Sequence, residues 1–481
     1  MPRHPSGLDR RLAHVERPTG LIRTLGVPTL VGIGLASVVG SGIFVLSGQA
    51  AARFAGPAII ISFLIAALIA TLPALCFSEL STTMPVSGGA FAYTFTVFGP
   101  LIGWIVAWAL LVEYLVGAAV MAIGWASYAE NIAQEFGAEI PGAIAQGPFA
   151  DDPGVMNLPA AILVGLAALL LLQGASESAR ANAILVAIKL GALLLFVVMG
   201  ATALTVDNWD PFFPPSEGFG EFGVTGVLRA VGVVFLTYIS FDVIATAAQE
   251  AKNPGRSLPT AMGATLALAA LVYVAVALVM TGLVSYTALD VPDPLSIALG
   301  AHPDLDWLRN LANAAAVAGL AAGVVSLLYG QSRILMRMAR EGLMPRAIGR
   351  VDTRTESPRT AILACAAAGV LIAAFGSYNV LAITISGGTI VAYGIVCASV
   401  LRLRKLRPDL ERPFRVPFGP VVPIAGIVAL ACVFFLLPPR TLLIVASWIA
   451  IGLVVWFLYT RHEYRRAVEE QRAVAEGGQS G

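Results

Sequence analysis

The sequence predicts an all-α polytopic membrane protein with twelve transmembrane helices, and three observations lead to this fold class. Of the 481 residues, 58% are hydrophobic and only 12% are charged, whereas soluble globular proteins carry about 25% charged residues. Apolar runs of the ~20 residues that cross a bilayer recur along the chain. Arginines cluster in alternate connecting segments, which is the pattern of cytoplasmic loops.

The apolar runs delimit twelve spans, which are numbered here in chain order. Gly-Pro pairs such as Gly56-Pro57 and Gly99-Pro100 mark several of their starts, because the first turn of a helix tolerates proline. The predicted spans cover residues 29–53, 57–81, 99–129, 157–173, 181–204, 225–250, 258–284, 308–337, 359–376, 378–401, 420–437 and 441–460.

Arginine placement predicts that both termini are cytoplasmic. The arginine-rich segments 333–359 and 402–415 fall on the same side as the termini, and few arginines fall on the other side. Positive charge marks the cytoplasmic side of membrane proteins. The predicted division of the chain is a cytoplasmic amino-terminal tail (1–27), spans 1–5 (28–204), spans 6–10 (224–401), spans 11–12 (420–460) and a cytoplasmic tail (461–481).

Span 1 carries glycines at its middle, at Gly40 and Gly42 on either side of Ser41. Each glycine costs ~1 kcal/mol relative to alanine inside a helix. One interpretation is close helix packing, because Gly32, Ala36 and Gly40 are spaced four apart. The other is a deliberately broken helix whose free backbone groups line a cavity.

Span 6 is also interrupted at mid-length, by the polar residues of the stretch 237–242. Spans 1 and 6 are five spans apart, and because five is odd, the two halves of the chain have opposite orientations. Paired interruptions in corresponding spans indicate a transporter site built from inverted repeats. The second interruption therefore favours the broken-helix interpretation of the first.

A broken span 1 offers groups of both polarities to a ligand. The helix N-terminus after the break presents the amides of Ser41, Gly42 and Ile43, and the C-terminus before it presents carbonyls near Val38. Helix N-termini favour anions and C-termini favour cations. Such a break suits a zwitterion such as an amino acid, and carbonyls of span 6 near Phe235, Leu236 and Ile239 complete the ammonium site.

Lys189 is the one lysine placed within an apolar span, in a chain with only three lysines. Arginine keeps its proton in proteins, whereas a buried lysine can release it. An ionisable group inside the membrane is a functional hypothesis by default. We therefore expect Lys189 to lie against the broken span 1 and to couple protonation to opening and closing. The alternative is a fixed structural cation bonded to helix carbonyls.

Two acidic residues also lie within predicted spans. Glu113 in span 3 is a weaker candidate for the proton route, and a structural hydrogen bond between helices is the alternative. Asp242 directly follows the interruption of span 6. Because aspartate is favoured at helix N-termini, we expect Asp242 to cap the second half of that helix.

These motifs resemble the amino acid–polyamine–organocation superfamily over residues 25–460. The resemblance is carried by residues 40–44, 235–242, 249–259 and 332–345. Glu113-Tyr114 and Lys189 are similar, more narrowly, to its cationic amino acid transporter branch, which includes bacterial members. The resemblance implies a 5+5 inverted repeat with broken helices 1 and 6, followed by two C-terminal helices.

The resemblance also implies roles for individual residues. The amides of Ser41 and Gly42 would take the substrate carboxylate, and the carbonyls of span 6 with that of Val38 would take the amino group. Phe235 would be a gating aromatic, and Lys189 would replace a sodium ion and serve proton coupling. Thr237 and Ser240 stand where the family has small residues, so they are expected to shape the side-chain half of the pocket.

The predicted function is import of L-amino acids by proton symport through alternating access, in the bacterial inner membrane. Amino acid or amine exchange and polyamine transport are alternatives, and a non-transporting amino acid sensor is disfavoured. Neither a catalytic cluster nor a metal motif is found in the sequence, so no enzyme activity is expected and no cofactor other than the coupling proton. The expected partners are the substrate and the lipid bilayer, not nucleic acid, and the oligomeric state is left open.

Overall fold

The computed structural model of the protein describes Leu8 and residues 23–40, 42–135, 137–138, 140–149, 153–218, 220–291, 294–437 and 439–477. Within these ranges the chain is built from helices, and its only β-type contacts are isolated bridges. Most of the predicted amino-terminal tail and the last four residues of the carboxy-terminal tail fall outside them. The division of the chain into tails and repeats stays a prediction.

The first five spans alternate in direction through the bundle. Their helices are span 1 (Val27–Val38, then Gly42–Leu46, Ser47–Ala50 and Ala51–Ala55), span 2 (Ile59–Thr83), span 3 (Pro100–Leu111, Val112–Val116 and Gly117–Glu135), span 4 (Leu158–Leu172) and span 5 (Ala175–Gly200). Gly89–Phe98 is a short helix between spans 2 and 3.

The remaining spans complete twelve within the described part of the chain. They are span 6 (Gly223–Val234, Phe235–Tyr238 and Val243–Thr246), span 7 (Pro254–Leu283), span 8 (Asp306–Arg340), span 9 (Arg359–Phe375), span 10 (Tyr378–Leu406), span 11 (Val421–Leu436) and span 12 (Pro439–Val455), and the helix Arg461–Gly477 follows. In the described ranges, seven helical stretches are by themselves long and apolar enough to cross a membrane.

Outward-facing side chains on these helices are as apolar as the buried ones. Leu64 and Leu68 of span 2 are 53% and 68% exposed, whereas Phe63 and Ala66 of the same helix are buried. A helix that is hydrophobic all round belongs in a membrane, where lipid covers the outer side chains. The prediction of an all-α polytopic membrane protein is confirmed.

Contacts between spans repeat after a shift of five. Spans 2 and 7, 3 and 8, and 4 and 9 lie side by side. Span 6 packs on span 2 as span 1 packs on span 7, and span 10 packs on span 3 as span 5 packs on span 8. Because the shift is odd, the two sets of five helices run in opposite directions, as an inverted repeat requires.

Span 12 is fastened to span 3 by tryptophans. The indole nitrogens of Trp104 and Trp108 donate to the carbonyls of Gly452 and Trp448, at 2.8 and 2.9 Å, and Trp448 donates back to the carbonyl of Trp108 at 2.9 Å. The rings of Trp108 and Trp448 stack with centroids 4.8 Å apart. Every indole N–H of this group is thereby satisfied inside the bundle. We call these three residues the tryptophan clasp.

Candidate functional site

The helix of span 1 ends at Val38, and the chain then bends at Val39 (φ −79°, ψ 84°) before a π-helical turn begins at Gly42. This leaves carbonyls at the end of the first half without helical partners, buried in the bundle. The helix-packing alternative fails at Gly32, because a Cβ atom built there would meet no atom within 4 Å. Ser41, predicted to bind the substrate carboxylate, lies outside the described residues.

Lys189 of span 5 donates to carbonyls at this helix end, including that of Leu35, which also accepts from the Val39 amide at 3.0 Å. Its Nζ lies 3.1 Å from the carbonyl oxygen of Leu35 and 3.4 Å from that of Ala36, and it also donates to the carbonyl of Val39. The side chain is 0% exposed. A buried ammonium is tolerated only when its donors are satisfied. Here the end of the half-helix supplies both the acceptors and the negative end of a helix dipole.

The interruption of span 6 is sharper than that of span 1. A single turn, Phe235–Tyr238, is followed by extended backbone at Ile239 (φ −67°, ψ 162°) and by Ser240 with a φ of +71°. Left-handed backbone is strained for any residue with a Cβ. The helix that resumes, Val243–Thr246, is only one turn long. The carbonyls of Ser240, Phe241 and Asp242 still accept from backbone amides three residues further on, at 2.8 to 3.4 Å. The amide of Ser240 instead donates to a side chain, the hydroxyl of Tyr393, at 3.1 Å.

The two interruptions touch each other. A Cβ atom built on Gly42 would lie 2.5 Å from Cγ2 and 2.7 Å from Cβ of Thr237, so only glycine allows this approach. The hydroxyl of Tyr273 in span 7 lies 2.7 Å from the carbonyl oxygen of Val38 and 2.9 Å from that of Thr237. Tyr273 thus bridges the end of the first half of span 1 to the turn of span 6.

Glu113 and Asp242 meet beside the interruption of span 6. Ser240 donates from its hydroxyl to Glu113 Oε1 at 3.0 Å. The hydroxyl of Tyr393 in span 10 accepts from the Ser240 amide at 3.1 Å and donates to Asp242 Oδ1 at 2.9 Å. Glu113 Oε2 and Asp242 Oδ2 have no hydrogen-bond partner among the described residues.

The expectation that Asp242 caps the second half of span 6 is wrong. Asp242 does occupy the position before Val243, but its side chain makes no capping hydrogen bond. The following helix has one turn only, and the Tyr393 hydroxyl draws the carboxylate sideways. Glu113 and Asp242 do not form a metal site, because no cluster of possible metal ligands occurs among the described residues.

A cavity of about 780 Å³ opens along the interruptions. Seven of the predicted site residues line it: Val38, Gly42, Glu113, Leu236, Thr237, Ile239 and Ser240. Ile43, Phe235 and Lys189 are buried behind its wall. Its mouth lies at the end of the bundle that carries Arg53, and its apolar walls include Val120 and Leu327.

The opposite end of the bundle is closed by a buried ion pair. Glu250 accepts from the Arg333 Nε at 2.8 Å and from the Tyr329 hydroxyl at 2.7 Å. The backbone of Leu25 pairs with the residues around Glu250, with both N–O distances at 2.9 Å. The start of span 1 is therefore tied to the end of span 6 at the closed end, while the Arg53 end is open.

The sequence analysis did not identify Tyr273 of span 7 and Tyr393 of span 10 as parts of the site. It also did not identify the closely packed glycines of span 8. A Cβ atom built on Gly319 would lie 2.5 Å from the Cδ of Lys189, and one on Gly323 would collide with Met121 of span 3. Gly330 similarly makes room for Tyr114. The spacing of four between Gly319 and Gly323 is a signal of close helix approach. The tyrosines carried no such signal, because they are ordinary residues of apolar helices.

Known proteins are similar to this chain along nearly its whole length. The family model described as amino acid permease matches residues 25–459. The methylthioribose transporter of Bacillus subtilis is 37% identical over 456 residues, which cover 94% of this chain and 96% of the relative. The branched-chain amino acid permease BcaP of the same organism is 34% identical over 455 residues, with the same coverage.

A plant relative is similar over a smaller share of its own length. Cationic amino acid transporter 2, vacuolar, of Arabidopsis thaliana is 37% identical over 395 residues, which cover 82% of this chain and 61% of the relative. These relatives are named permeases and transporters, so the protein is a transporter and not an enzyme. Together with the helical bundle, the matches confirm the predicted superfamily: the chain is a multi-pass membrane protein of the amino acid permease family, within the amino acid–polyamine–organocation superfamily.

Proposed function

We propose that the protein imports L-amino acids by proton symport through alternating access. The observation that carries this proposal is the contact between the two interruptions, where Gly42 meets Thr237 and residues of both interrupted spans line one cavity. The carboxylate of the substrate binds the amides that open the second half of span 1, at Ser41 and Gly42. The predicted contribution of Ile43 is dropped, because its amide donates to the Gly40 carbonyl at 3.3 Å. The ammonium binds carbonyls near Val38 and in the turn that begins at Phe235.

Lys189 supplies the proton coupling in this proposal. When protonated, Lys189 donates hydrogen bonds to the carbonyls before the interruption and so holds the first half of span 1 in place. When it loses its proton, one donor bond to those carbonyls is lost and the half-helix is freed to move. Glu113 is the second candidate for the proton route, because its Oε2 has no hydrogen-bond partner in the described part of the chain and the residue lines the cavity.

Alternating access is supported by the asymmetry between the two ends of the bundle. The Glu250–Arg333 pair holds the closed end and the cavity opens at the other. With the arginine-rich segments on the cytoplasmic side, as positive charge predicts, the open end faces outward. In the reverse state, the Glu250–Arg333 pair opens and the Arg53 end closes.

The test is uptake of labelled leucine by liposomes that contain the pure protein, with and without an imposed pH gradient. We expect uptake driven by an inward proton gradient and its loss in Lys189→Ala. Gradient-independent uptake that is equal in the wild type and in Lys189→Ala would contradict proton coupling through Lys189. Uptake only into liposomes preloaded with amino acid would instead identify an exchanger.

Competition experiments separate amino acids from the substrate named for the methylthioribose transporter. Methylthioribose carries neither a carboxylate nor an ammonium, so it cannot satisfy both halves of the interruption in span 1. We expect leucine uptake to be inhibited by unlabelled amino acids and not by methylthioribose at the same concentration. Inhibition by methylthioribose and not by amino acids would indicate that the protein transports sugar derivatives instead.

A further inference from the structure

The charges of the cavity are divided between its two ends. Among the described residues that line it, Glu113 at the inner end is the one acid, and Arg53 and Arg229 at the mouth are the cations. The walls between them are largely apolar, with Val120, Leu236 and Leu327 among them. A substrate therefore meets positive charge before any other charged side chain of the cavity.

The two arginines of the mouth are not equivalent. Arg53 Nε lies 2.8 Å from Asp290 Oδ1, so a carboxylate compensates its charge. Arg229 has no carboxylate within ion-pair distance among the described residues, and its guanidinium carbon lies 4.9 Å from the centre of the Phe54 ring. An aromatic face orients a guanidinium without neutralising it. Arg229 is thus the uncompensated cation of the mouth.

The loop before span 6 leaves space for the Arg229 side chain. Gly220 has a φ of +84°, and a Cβ atom built on it would lie 2.7 Å from the Cδ of Arg229. The stem of the arginine is held by this glycine on one side and its head by Phe54 of span 1 on the other. The charge therefore has a defined position above the cavity, between the second half of span 1 and the first half of span 6.

We propose that Arg229 is a selectivity residue that favours neutral, zwitterionic amino acids over cationic amino acids and polyamines. This inference rests on the proposed function, since it names the class of amino acid that the same cavity takes. A fixed charge at the mouth of a cleft with low-dielectric walls focuses its field along the cleft. The field attracts the carboxylate of a zwitterion, whose net charge is zero, and it raises the free energy of any solute with net positive charge.

The experiment measures how lysine and spermidine compete with leucine uptake in liposomes that hold the full-length protein. We expect Arg229→Gln to raise the inhibitory potency of both cations by about 3- to 10-fold relative to leucine, the size of one unit charge acting across a partly solvated cleft. The Km for leucine rises and kcat is unchanged. Arg229→Lys keeps the charge and is expected to keep the wild-type preference.

Arg309→Gln is the matched control. Arg309 lies at the same end of the bundle, in span 8, and does not line the cavity. Its loss should leave the preference between leucine and lysine as in the wild type. If Arg309→Gln shifts the preference as strongly as Arg229→Gln, general surface charge is responsible and the assignment to Arg229 is overturned.

Salt dependence of the wild type tests the inference without any variant. Exposed charges are screened between about 20 mM and 300 mM salt, so lysine should become a better competitor of leucine as salt rises. An unchanged preference across that range, or an Arg229→Gln protein that takes up leucine normally with unaltered discrimination, would overturn the inference. A wild-type protein that takes up no amino acid would contradict the proposed function itself.

Discussion

The interruptions of spans 1 and 6 occupy corresponding places in the two repeats, yet they are held by opposite chemistry. Span 5 supports the first through the ammonium of Lys189, which donates to carbonyls. Span 10 supports the second through the hydroxyl of Tyr393, which accepts from the Ser240 amide and donates to Asp242. The fifth helix of each repeat thus carries the supporting side chain.

The difference follows from which backbone groups each interruption leaves free. Span 1 stops as a regular helix, so its last carbonyls are aligned and require a cation or several donors. Span 6 turns through Ser240 at φ +71°, so it presents an amide and an acidic side chain, which one hydroxyl can satisfy. In both repeats the supporting side chain comes from the fifth helix. Its type matches the backbone groups that it meets: an ammonium for carbonyls in span 1, and a hydroxyl for an amide and a carboxylate in span 6. Of the two supports, only Lys189 is a cation, and the proposed proton coupling is therefore assigned to it.

Removing the support of span 1 should have the largest effect. Lys189→Ala removes the ammonium donor from the buried carbonyls of Ala36 and Val39, at a cost of ~1–3 kcal/mol for each group. We expect a loss of at least ~100-fold in leucine uptake. Lys189→Arg keeps a cation but not a removable proton, so it should bind substrate and fail to respond to the pH gradient. A Lys189→Arg protein with wild-type proton-driven uptake would contradict the switch.

The contact between the two interruptions should be the next most sensitive feature. Gly42→Ala places a methyl group 2.5 Å from the Thr237 Cγ2, and overpacking of this kind costs ~1–3 kcal/mol. We expect a rise of ~10- to 100-fold in the Km for leucine and no measurable binding in Gly42→Val.

Gly32→Ala is the control for that substitution. A Cβ atom at Gly32 meets nothing within 4 Å, so uptake should stay at the wild-type level. Binding of labelled leucine to detergent-solubilised protein measures both variants. Equal affinities in Gly42→Ala and Gly32→Ala would remove the support for a binding site at this contact.

Loss of the hydroxyl that bridges the interruptions should have a moderate effect. Tyr273→Phe removes the group shared by the carbonyls of Val38 and Thr237, and such a hydrogen bond contributes ~0.5–1.5 kcal/mol. We expect kcat to fall by ~3- to 10-fold, because the two halves no longer move as a pair. Tyr238→Phe is the matched control, since its hydroxyl donates to the Phe63 carbonyl at 3.1 Å and bridges no interruption. Comparable losses of kcat in both variants would contradict the bridging role.

Substitutions at Ser240 should have the smallest effects. They separate the contribution of its hydrogen bond to Glu113 from the strain of its left-handed backbone. Ser240→Ala loses the hydrogen bond to Glu113 and keeps a Cβ in left-handed backbone, whereas Ser240→Gly loses the bond and relieves the strain. We expect the glycine variant to be more stable than the alanine variant by ~1 kcal/mol. Thermal unfolding in detergent measures the difference, and the reverse order would show that the left-handed conformation is not retained.

Sequence alone predicted the fold class and the location of both interruptions. Glycines in an apolar run, and polar residues at mid-span, are unfavourable enough to require an explanation. Lys189 was identified because a single lysine in an apolar helix is expensive to bury. The contacts of Lys189 match that expectation in position, while its role in coupling stays a prediction.

The rest of the site depends on proximity that no local pattern encodes. Tyr273 and Tyr393 are unremarkable in sequence, and they matter only because spans 7 and 10 bring them to the free backbone groups. Asp242 was assigned as a cap from local propensity, but a hydroxyl from a helix 151 positions away takes its carboxylate. Long-range contacts of this kind override local preference.

The tryptophan clasp has a consequence for the order in which the protein can be made. Spans emerge from the ribosome in sequence. Eight further spans are therefore made between Trp104 and Trp108 of span 3 and their partners Trp448 and Gly452 of span 12. Residues 435–437 and Thr441, which close one side of the cavity, also come late. The cavity is therefore finished only when the final helix inserts. A chain that stops after span 10 would hold both interruptions and still lack one wall of the cavity.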